Sequence, residues 1–249
     1  MEYRLVKEEG FDYVEEGSGE PLILLHGLFG ALSNWTHVLK YFKKNFTVII
    51  PLMPIYTASQ VEPSIEGLTK FIAEFITFKN YQKVNLIGNS LGGHIALYYT
   101  LHNPEKTSKM ILTGSSGLFE AGMGQSLPRR SNKDFIKERV EYTFYNPQTA
   151  SKELVNEVFD IVNDNNKAIR IIKIAKSAQR QNLAHRLKEI LCPTLLIWGL
   201  NDNITPVPVA HQFHRNIKNS HLAFIDQCGH APMMEQPSRF NELVEKFLN

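Results

Sequence analysis

The stretch Gly88-Asn89-Ser90-Leu91-Gly92 decides how the rest of the chain is read. It follows the apolar run Val84-Asn85-Leu86-Ile87 and leads into Gly93-His94-Ile95-Ala96-Leu97-Tyr98-Tyr99, which reads as a helix. Ser90 therefore stands where a strand turns sharply into a helix. The flanking glycines let the backbone bend and let neighbouring elements come close. A hydroxyl held in this way projects from the fold above a helix N-terminus. That strand–turn–helix setting is a nucleophile elbow, and it makes Ser90 a candidate nucleophile.

A serine hydroxyl is a weak nucleophile at its free pKa. It needs a base to take its proton, and the base needs an orienting acid. The chain order expected with such an elbow is Ser, then Asp or Glu, then His. Both partners follow in that order. Pro193-Thr194-Leu195-Leu196-Ile197-Trp198-Gly199 is a buried-strand pattern, and Asp202 comes directly after it in Leu200-Asn201-Asp202-Asn203. Leu222-Ala223-Phe224-Ile225 runs into Asp226-Gln227-Cys228-Gly229-His230. Ser90, Asp202 and His230 each fall just beyond the carboxyl end of a strand, where open α/β sheets bind their ligands. Each has a plain reading of its own: Ser90 as a helix cap, Asp202 as a turn former, His230 as a packed residue before Pro232. Their shared order and setting favour the catalytic reading. Of the rival acids, Asp226 reads as a strand-end residue. Glu235 reads as the start of the last helix, where a negative charge meets the helix dipole.

A tetrahedral oxyanion needs donors. The Leu91 N–H, directly after the nucleophile, is one candidate. The other comes from the loop after an earlier strand: Pro21-Leu22-Ile23-Leu24-Leu25 runs into His26-Gly27-Leu28-Phe29-Gly30. The Leu28 N–H is the first choice there and the Phe29 N–H the second, with His26 structural. Fixed backbone donors contribute about 3 kcal/mol each to such a transition state.

Strand patterns recur along the chain, with two antiparallel strands within residues 3–15 and others at 21–25, 46–50, 83–88, 109–113, 194–198 and 221–226. Helical patterns lie between them at 33–43, 64–79, 91–102, 207–215 and 237–248. This alternation predicts an α/β fold, a mostly parallel eight-stranded sheet with helices on both faces. Residues 117–192 break the rhythm, with helical periodicity at 133–144, 151–163 and 165–179, extended to 181–190. They predict a helical cap inserted after strand 6, over the elbow, with a mobile glycine-rich opening at 117–124. The expected domains are a core of 1–116 and 193–249 and a lid of 117–192. A lid excludes water and shapes the pocket.

Lys167, Arg170, Lys173, Lys176 and Arg180 recur three or four apart opposite Ile171, Ile174, Ala175 and Ala178. One reading is a solvated helix face over core contacts. The sharper one is a clamp for an anionic substrate, for which Arg170 or Arg180 suits best because guanidinium grips carboxylate bidentately.

The formal net charge of +2 over 249 residues speaks against a nucleic-acid surface. A hydrophobic share of 43% supports a sizeable core. Cys192 and Cys228 make no disulfide framework and have no metal-ligand spacing with histidine, so both read as buried thiols. The charged start lacks a signal-peptide stretch, and no apolar run approaches the roughly 20 residues that cross a bilayer. A cytoplasmic protein with a small-molecule substrate, no membrane partner, no cofactor and no metal is expected.

Taken together, His-Gly-x-x-Gly, Gly-x-Ser-x-Gly-Gly, Trp-Gly-x-x-Asp and Gly-His with a downstream glutamate resemble the α/β-hydrolase fold proteins over nearly the whole length. Gly88-Asn89-Ser90, Cys228-Gly229-His230 and the closing segment resemble both small carboxylesterases and the carbon–carbon hydrolases of meta-cleavage products. The resemblance implies a serine hydrolase that cleaves a carboxylic ester through an acyl-enzyme. The alternatives are carbon–carbon hydrolysis of a vinylogous diketone, with Asn89 and a cap arginine binding the dienoate, or a slow-turnover ligand sensor. Epoxide hydrolases and haloalkane dehalogenases carry an aspartate nucleophile where this chain has Ser90. The chain departs from its relatives after the fourth strand, where Pro51-Leu52-Met53-Pro54-Ile55-Tyr56 replaces the usual Asp and glycine-rich turn. Where the carbon–carbon hydrolases tend to have tryptophan after the catalytic histidine and a longer glycine-rich oxyanion loop, this chain has Ala231 and the shorter Gly27-Leu28-Phe29-Gly30, which speaks against that substrate.

Overall fold

The computed structural model describes residues 4–30, 32–57, 60–119 and 129–249. Eight strands form one sheet: β1 (Leu5–Glu8), β2 (Phe11–Gly17), β3 (Glu20–Leu25), β4 (Phe46–Pro51), β5 (Val84–Asn89), β6 (Thr107–Thr113), β7 (Thr194–Gly199) and β8 (Ser220–Ile225). Their spatial order is β1-β2-β4-β3-β5-β6-β7-β8. Pairing is antiparallel at β1–β2 and β2–β4 and parallel from β4 to β8.

The central strands are mostly apolar because both faces are covered, and successive side chains go to opposite cores. Ile23, Leu25, Ile49, Leu86, Leu112 and Trp198 join one core with α2 (Ile65–Phe78), α3 (Leu91–His102) and α7 (Val207–Asn216). Leu22, Leu24, Val48, Ile87, Ile111 and Ile197 join the other with α1 (Thr36–Phe42), the short α8 (Pro232–Glu235) and α9 (Pro237–Leu248). The helix α3 sits under the serine turn and is buried nearly all round, from Leu91 through Leu97.

Between β6 and β7 the described residues form α4 (Lys133–Glu141), α5 (Lys152–Asn163) and α6 (Asn165–Arg180) and no strand. Each starts on a side-chain cap. Asn132 accepts the Phe135 N–H, Ser151 the Leu154 N–H, and Asp164 the N–H groups of Asn166 and Lys167. The insertion leans on both cores. Ile136, Val140, Val155 and Val158 of α4 and α5 pack with the α1/α9 side, while Ile174 and Ala178 of α6 pack with the α2/α3 side.

Two helical expectations change. The pattern at 33–43 divides into a 3₁₀ turn (Leu32–Trp35) and α1. Residues 181–190 form only a 3₁₀ turn, Leu187–Glu189. There the Leu183 N–H donates to the Gly117 carbonyl, and the Asn182 side chain accepts the Ala184 N–H at Oδ1 and donates from Nδ2 to the Leu118 carbonyl. Those bonds to the start of the insertion replace the helical ones. Of the expected mobile opening at 117–124, residues 120–124 lie outside the described residues.

Candidate active site

The turn at Ser90 is fixed before its side chain is considered. Its backbone has φ 54° and ψ −118°, a region that side chains with a Cβ rarely occupy. The Ser90 N–H donates to the Thr113 carbonyl, and the Ser90 carbonyl accepts from Gly93, His94 and Ser116. Close packing forces the bend. A Cβ on Gly92 would lie 2.0 Å from the Leu25 carbonyl oxygen at the end of β3. Leu91 is the first residue of α3, so its N–H has no acceptor within the helix.

Asp202 lies in the loop after β7 and is almost fully buried. Its Oδ1 accepts the N–H groups of Ile204 (2.8 Å) and Thr205 (2.9 Å), and its Oδ2 accepts the Thr205 hydroxyl (2.8 Å). The loop is closed by the Trp198 indole N–H, 2.7 Å from the Thr205 carbonyl. His230 presents Nδ1 at 2.9 Å from Asp202 Oδ2 and 3.1 Å from Oδ1. Burial raises the Asp202 pKa, but the facing His230 and the Thr205 donors outweigh it and hold the carboxyl below its usual value. Asp202 thus stays ionised, and the imidazole is left with Nε2 as its free nitrogen. Gly114, with φ 50°, leaves room for the ring: a Cβ there would stand 2.8 Å from His230 Nδ1.

Ser90 and His230 line one cavity of about 310 Å³. Its floor includes Gly27, Leu28, Phe29 and Leu91. A Cβ on Gly27 would be 3.2 Å from the Ser90 Cβ, so the loop after β3 runs directly beside the serine. Its roof is the apolar side of the insertion, with Val158 and Val162 of α5 and Ala168, Ile171, Ala175 and Ala178 of α6. His26 is buried with Nδ1 2.9 Å from the Gly27 carbonyl, and burial lowers its pKa.

Of the residues expected to bind substrate, Asn89 lines the cavity, whereas Arg170 and Arg180 do not. Asn89 touches the cavity, but its amide donates to the Thr113 carbonyl (3.0 Å) and the His230 carbonyl (3.1 Å). It ties the serine turn to the histidine loop. Arg170 donates to the carbonyls of Pro54 (2.8 Å), Ile55 (3.2 Å) and Val61 (3.2 Å) and is not among the cavity walls. Arg180 is exposed and likewise outside the cavity. Lys173, Lys176 and Arg180 of the basic stripe face outward because small apolar residues of α6 occupy the inner side. The arginines that do line the cavity are Arg130 and Arg139 of the insertion. Arg130 donates to the Val162 carbonyl and to Asn165.

Thr205 and Glu235 carry tasks that motif reading did not assign. Glu235 ends α8 rather than opening the last helix, and its carboxylate accepts the N–H groups of Gly229 (2.9 Å) and Tyr145 (2.7 Å). The His230 N–H in turn donates to the Thr143 carbonyl (2.9 Å). The histidine loop is therefore strapped to the end of α4. Cys228 is buried, and burial pushes its thiol well above the usual range, against a nucleophilic role. Among the described residues no group of histidine, cysteine and carboxylate side chains is arranged to hold a metal.

A mostly parallel sheet, a strained serine between β5 and α3, and an aspartate–histidine pair beyond β7 and β8 define an α/β hydrolase. A family model described as alpha/beta hydrolase fold matches residues 20–146. The chain belongs to that family and is a hydrolase. It is similar to an alpha/beta hydrolase enzyme from the sediment metagenome of the Mar Chica lagoon, Morocco. That solved structure is 40% identical with a TM-score of 0.81, over 98% of this chain and 96% of that one. A 2-hydroxy-6-oxononadienedioate/2-hydroxy-6-oxononatrienedioate hydrolase of Burkholderia vietnamiensis is 27% identical over 99% of this chain and 94% of its own length. Human monoacylglycerol lipase ABHD6 is 24% identical over 100% of this chain and 82% of its own length.

Proposed function

We propose that the protein cleaves carboxylic esters of small, largely apolar molecules through an acyl-enzyme, with Ser90 as nucleophile, His230 as general base and Asp202 as its orienting acid. The observation that carries this reading is the Asp202–His230 pair, 2.9 Å apart, opening with Ser90 onto one apolar cavity. Because Nδ1 faces Asp202, His230 Nε2 takes the proton as Ser90 Oγ attacks the ester carbonyl. The N–H groups of Leu91 and of Leu28 or Phe29 hold the oxyanion. His230 then returns the proton to the leaving alcohol. Water deprotonated by the same nitrogen releases the acid and restores Ser90. The insertion acts as a cap whose inner side receives the acyl group.

A second reading, hydrolysis of a carbon–carbon bond in a vinylogous diketone, draws on the named activity of the Burkholderia relative and on Arg130 and Arg139 at the cavity wall. No helix of the described residues is long and apolar enough to cross a membrane. The free, buried Cys192 and Cys228 suit the reducing cytoplasm as its setting.

A short-chain chromogenic ester tests the main reading. Turnover is expected to fall by about a millionfold in Ser90→Ala, the order known for losing a serine nucleophile. Equal turnover by both proteins sinks it. Rapid cleavage of a dienoate diketone with no cleavage of esters selects the second.

A further inference from the structure

We propose that Tyr56 is a positioning residue for oxyanion stabilisation, orienting the loop after β3 through the Leu28 carbonyl under the grip of Arg170 from the insertion. The proposal rests on the ester-hydrolase reading and concerns a residue of the segment that follows β4.

Two consecutive peptide planes meet at Leu28. In the first, the Gly27 carbonyl accepts the Gly30 N–H at 3.0 Å and lies 2.9 Å from His26 Nδ1. In the second, the Leu28 carbonyl accepts the Tyr56 hydroxyl. A trans peptide sets its N–H opposite its carbonyl. Bonds that draw these carbonyls away therefore turn the Leu28 and Phe29 N–H groups the other way. Leu28 and Phe29 line the cavity, and Tyr56 does not. On this proposal the free side of both planes is turned toward Ser90, beside which the loop runs at Gly27. Accepting a hydrogen bond at its carbonyl also polarises a peptide, which makes its N–H a better donor.

Tyr56 is suited to this task. Burial first, and the charge of Glu157 second, push its hydroxyl well above the ordinary tyrosine pKa, so it remains a donor at any working pH. Its ring packs against the α2/α3 core. The segment that carries it is held from the insertion. The Arg170 guanidinium donates to the carbonyls of Pro54, Ile55 and Val61, on both sides of Tyr56. Next to it, Ser177 of α6 accepts the Ile65 N–H at 3.0 Å at the start of α2. A continuous path thus runs from α6 through the segment around Tyr56 to the loop beside the serine. It gives the half-buried Arg170 a reason to lie against backbone rather than extend into solvent with the other basic residues of α6.

Tyr56→Phe keeps the ring and removes the donor. Its kcat is expected to fall roughly tenfold, less than the loss from deleting an oxyanion donor outright, with KM near the wild-type value. An alkyl boronic acid, tetrahedral when bound to Ser90, is expected to bind about tenfold more weakly, whereas the matching carboxylic acid product binds as before. Wild-type kcat and boronate affinity in the variant overturn the proposal. So does an equal weakening of boronate and product, which marks general damage to the pocket. If Tyr56→Phe does not fold, Arg170→Lys decides. It leaves the hydroxyl in place and loosens its support, so a boronate-selective loss is expected and unchanged selectivity overturns the proposal. Fluorophosphonate labelling separates this from the underlying reading. A wild type unlabelled at Ser90 overturns both, while a labelled wild type with an unaltered Tyr56→Phe variant overturns only the role of Tyr56.

Discussion

Ser90 occupies a backbone conformation, φ 54° and ψ −118°, that costs a residue with a side chain about 1–3 kcal/mol. Packing leaves no alternative, since Gly92 lies against the β3 carbonyls and the Ser90 carbonyl is held by three N–H groups. The strain projects the hydroxyl into the cavity and contributes nothing to folding. Ser90→Gly is therefore expected to raise stability by about 1 kcal/mol while turnover disappears, because glycine accepts positive φ without penalty. Denaturant midpoints with an unchanged slope measure the first effect, and ester turnover the second. A destabilised Ser90→Gly protein would show that the turn is not strained. The same residue marks how far the site was legible in sequence. Ser90, Asp202 and His230 could be read because each follows an apolar run and stands in a turn of glycine or asparagine, which are local signals. Thr205 had no such signal: its partner Asp202 is three residues away, but nothing in Asn203-Ile204-Thr205 shows that the hydroxyl points back. Tyr56 meets Leu28 from 28 residues away.

At the scale of elements, helical periodicity told which residues of α6 share a face but not which face turns inward. The basic stripe was the conspicuous one, yet a cavity roof needs small apolar side chains, and Ala168, Ala175 and Ala178 supply them. The short α8 was hidden for a similar reason. A four-residue helix has no periodicity to read, and in sequence Glu235 reads as the start of the last helix. In the structure Glu235 joins two elements. One carboxylate oxygen accepts the Gly229 N–H beside His230, and the other accepts the Tyr145 N–H beyond α4. Glu235→Gln keeps the shape but presents an NH₂ group to one of these donors. The loss is expected at about 1 kcal/mol of stability, the net worth of one hydrogen bond, since the amide oxygen can stay on Gly229 while the solvent-exposed Tyr145 N–H loses its acceptor. Turnover is expected to fall with it, since the histidine loop loses its strap. Urea midpoints and kcat measured on the same protein check both, and a variant as stable and as active as wild type removes Glu235 from the support of the site.

Across the whole molecule, the insertion and the sheet meet at a buried histidine. His94 is fully buried on α3, and its Nε2 lies 2.9 Å from the Gln181 carbonyl at the end of α6. Since a carbonyl only accepts, the imidazole donates to it from Nε2. Burial, the larger influence, depresses the His94 pKa to about 4, against a smaller upward pull from that carbonyl. A histidine in the unfolded chain titrates near 6.5, so between these two values the unfolded state binds more protons than the folded one. Stability from this group is complete above about pH 6.5 and declines as pH falls toward 4. The slope is about 1.4 kcal/mol per pH unit, for a total near 3 kcal/mol. His26, buried and likewise lowered, adds to the decline with the same sign. His94→Gln keeps a side-chain donor and cannot charge. It is expected to be less stable than wild type at pH 7.5, where the packed imidazole is neutral, and to lose less stability than wild type between pH 6.5 and 4.5. Urea unfolding at those three pH values measures the difference. Because the bond spans the two parts of the molecule, proteolysis of wild type at pH 5 is expected to cut within the insertion before the sheet. Parallel stability profiles for wild type and variant, with no preferred site of cutting, would show that His94 does not fasten the insertion to α3.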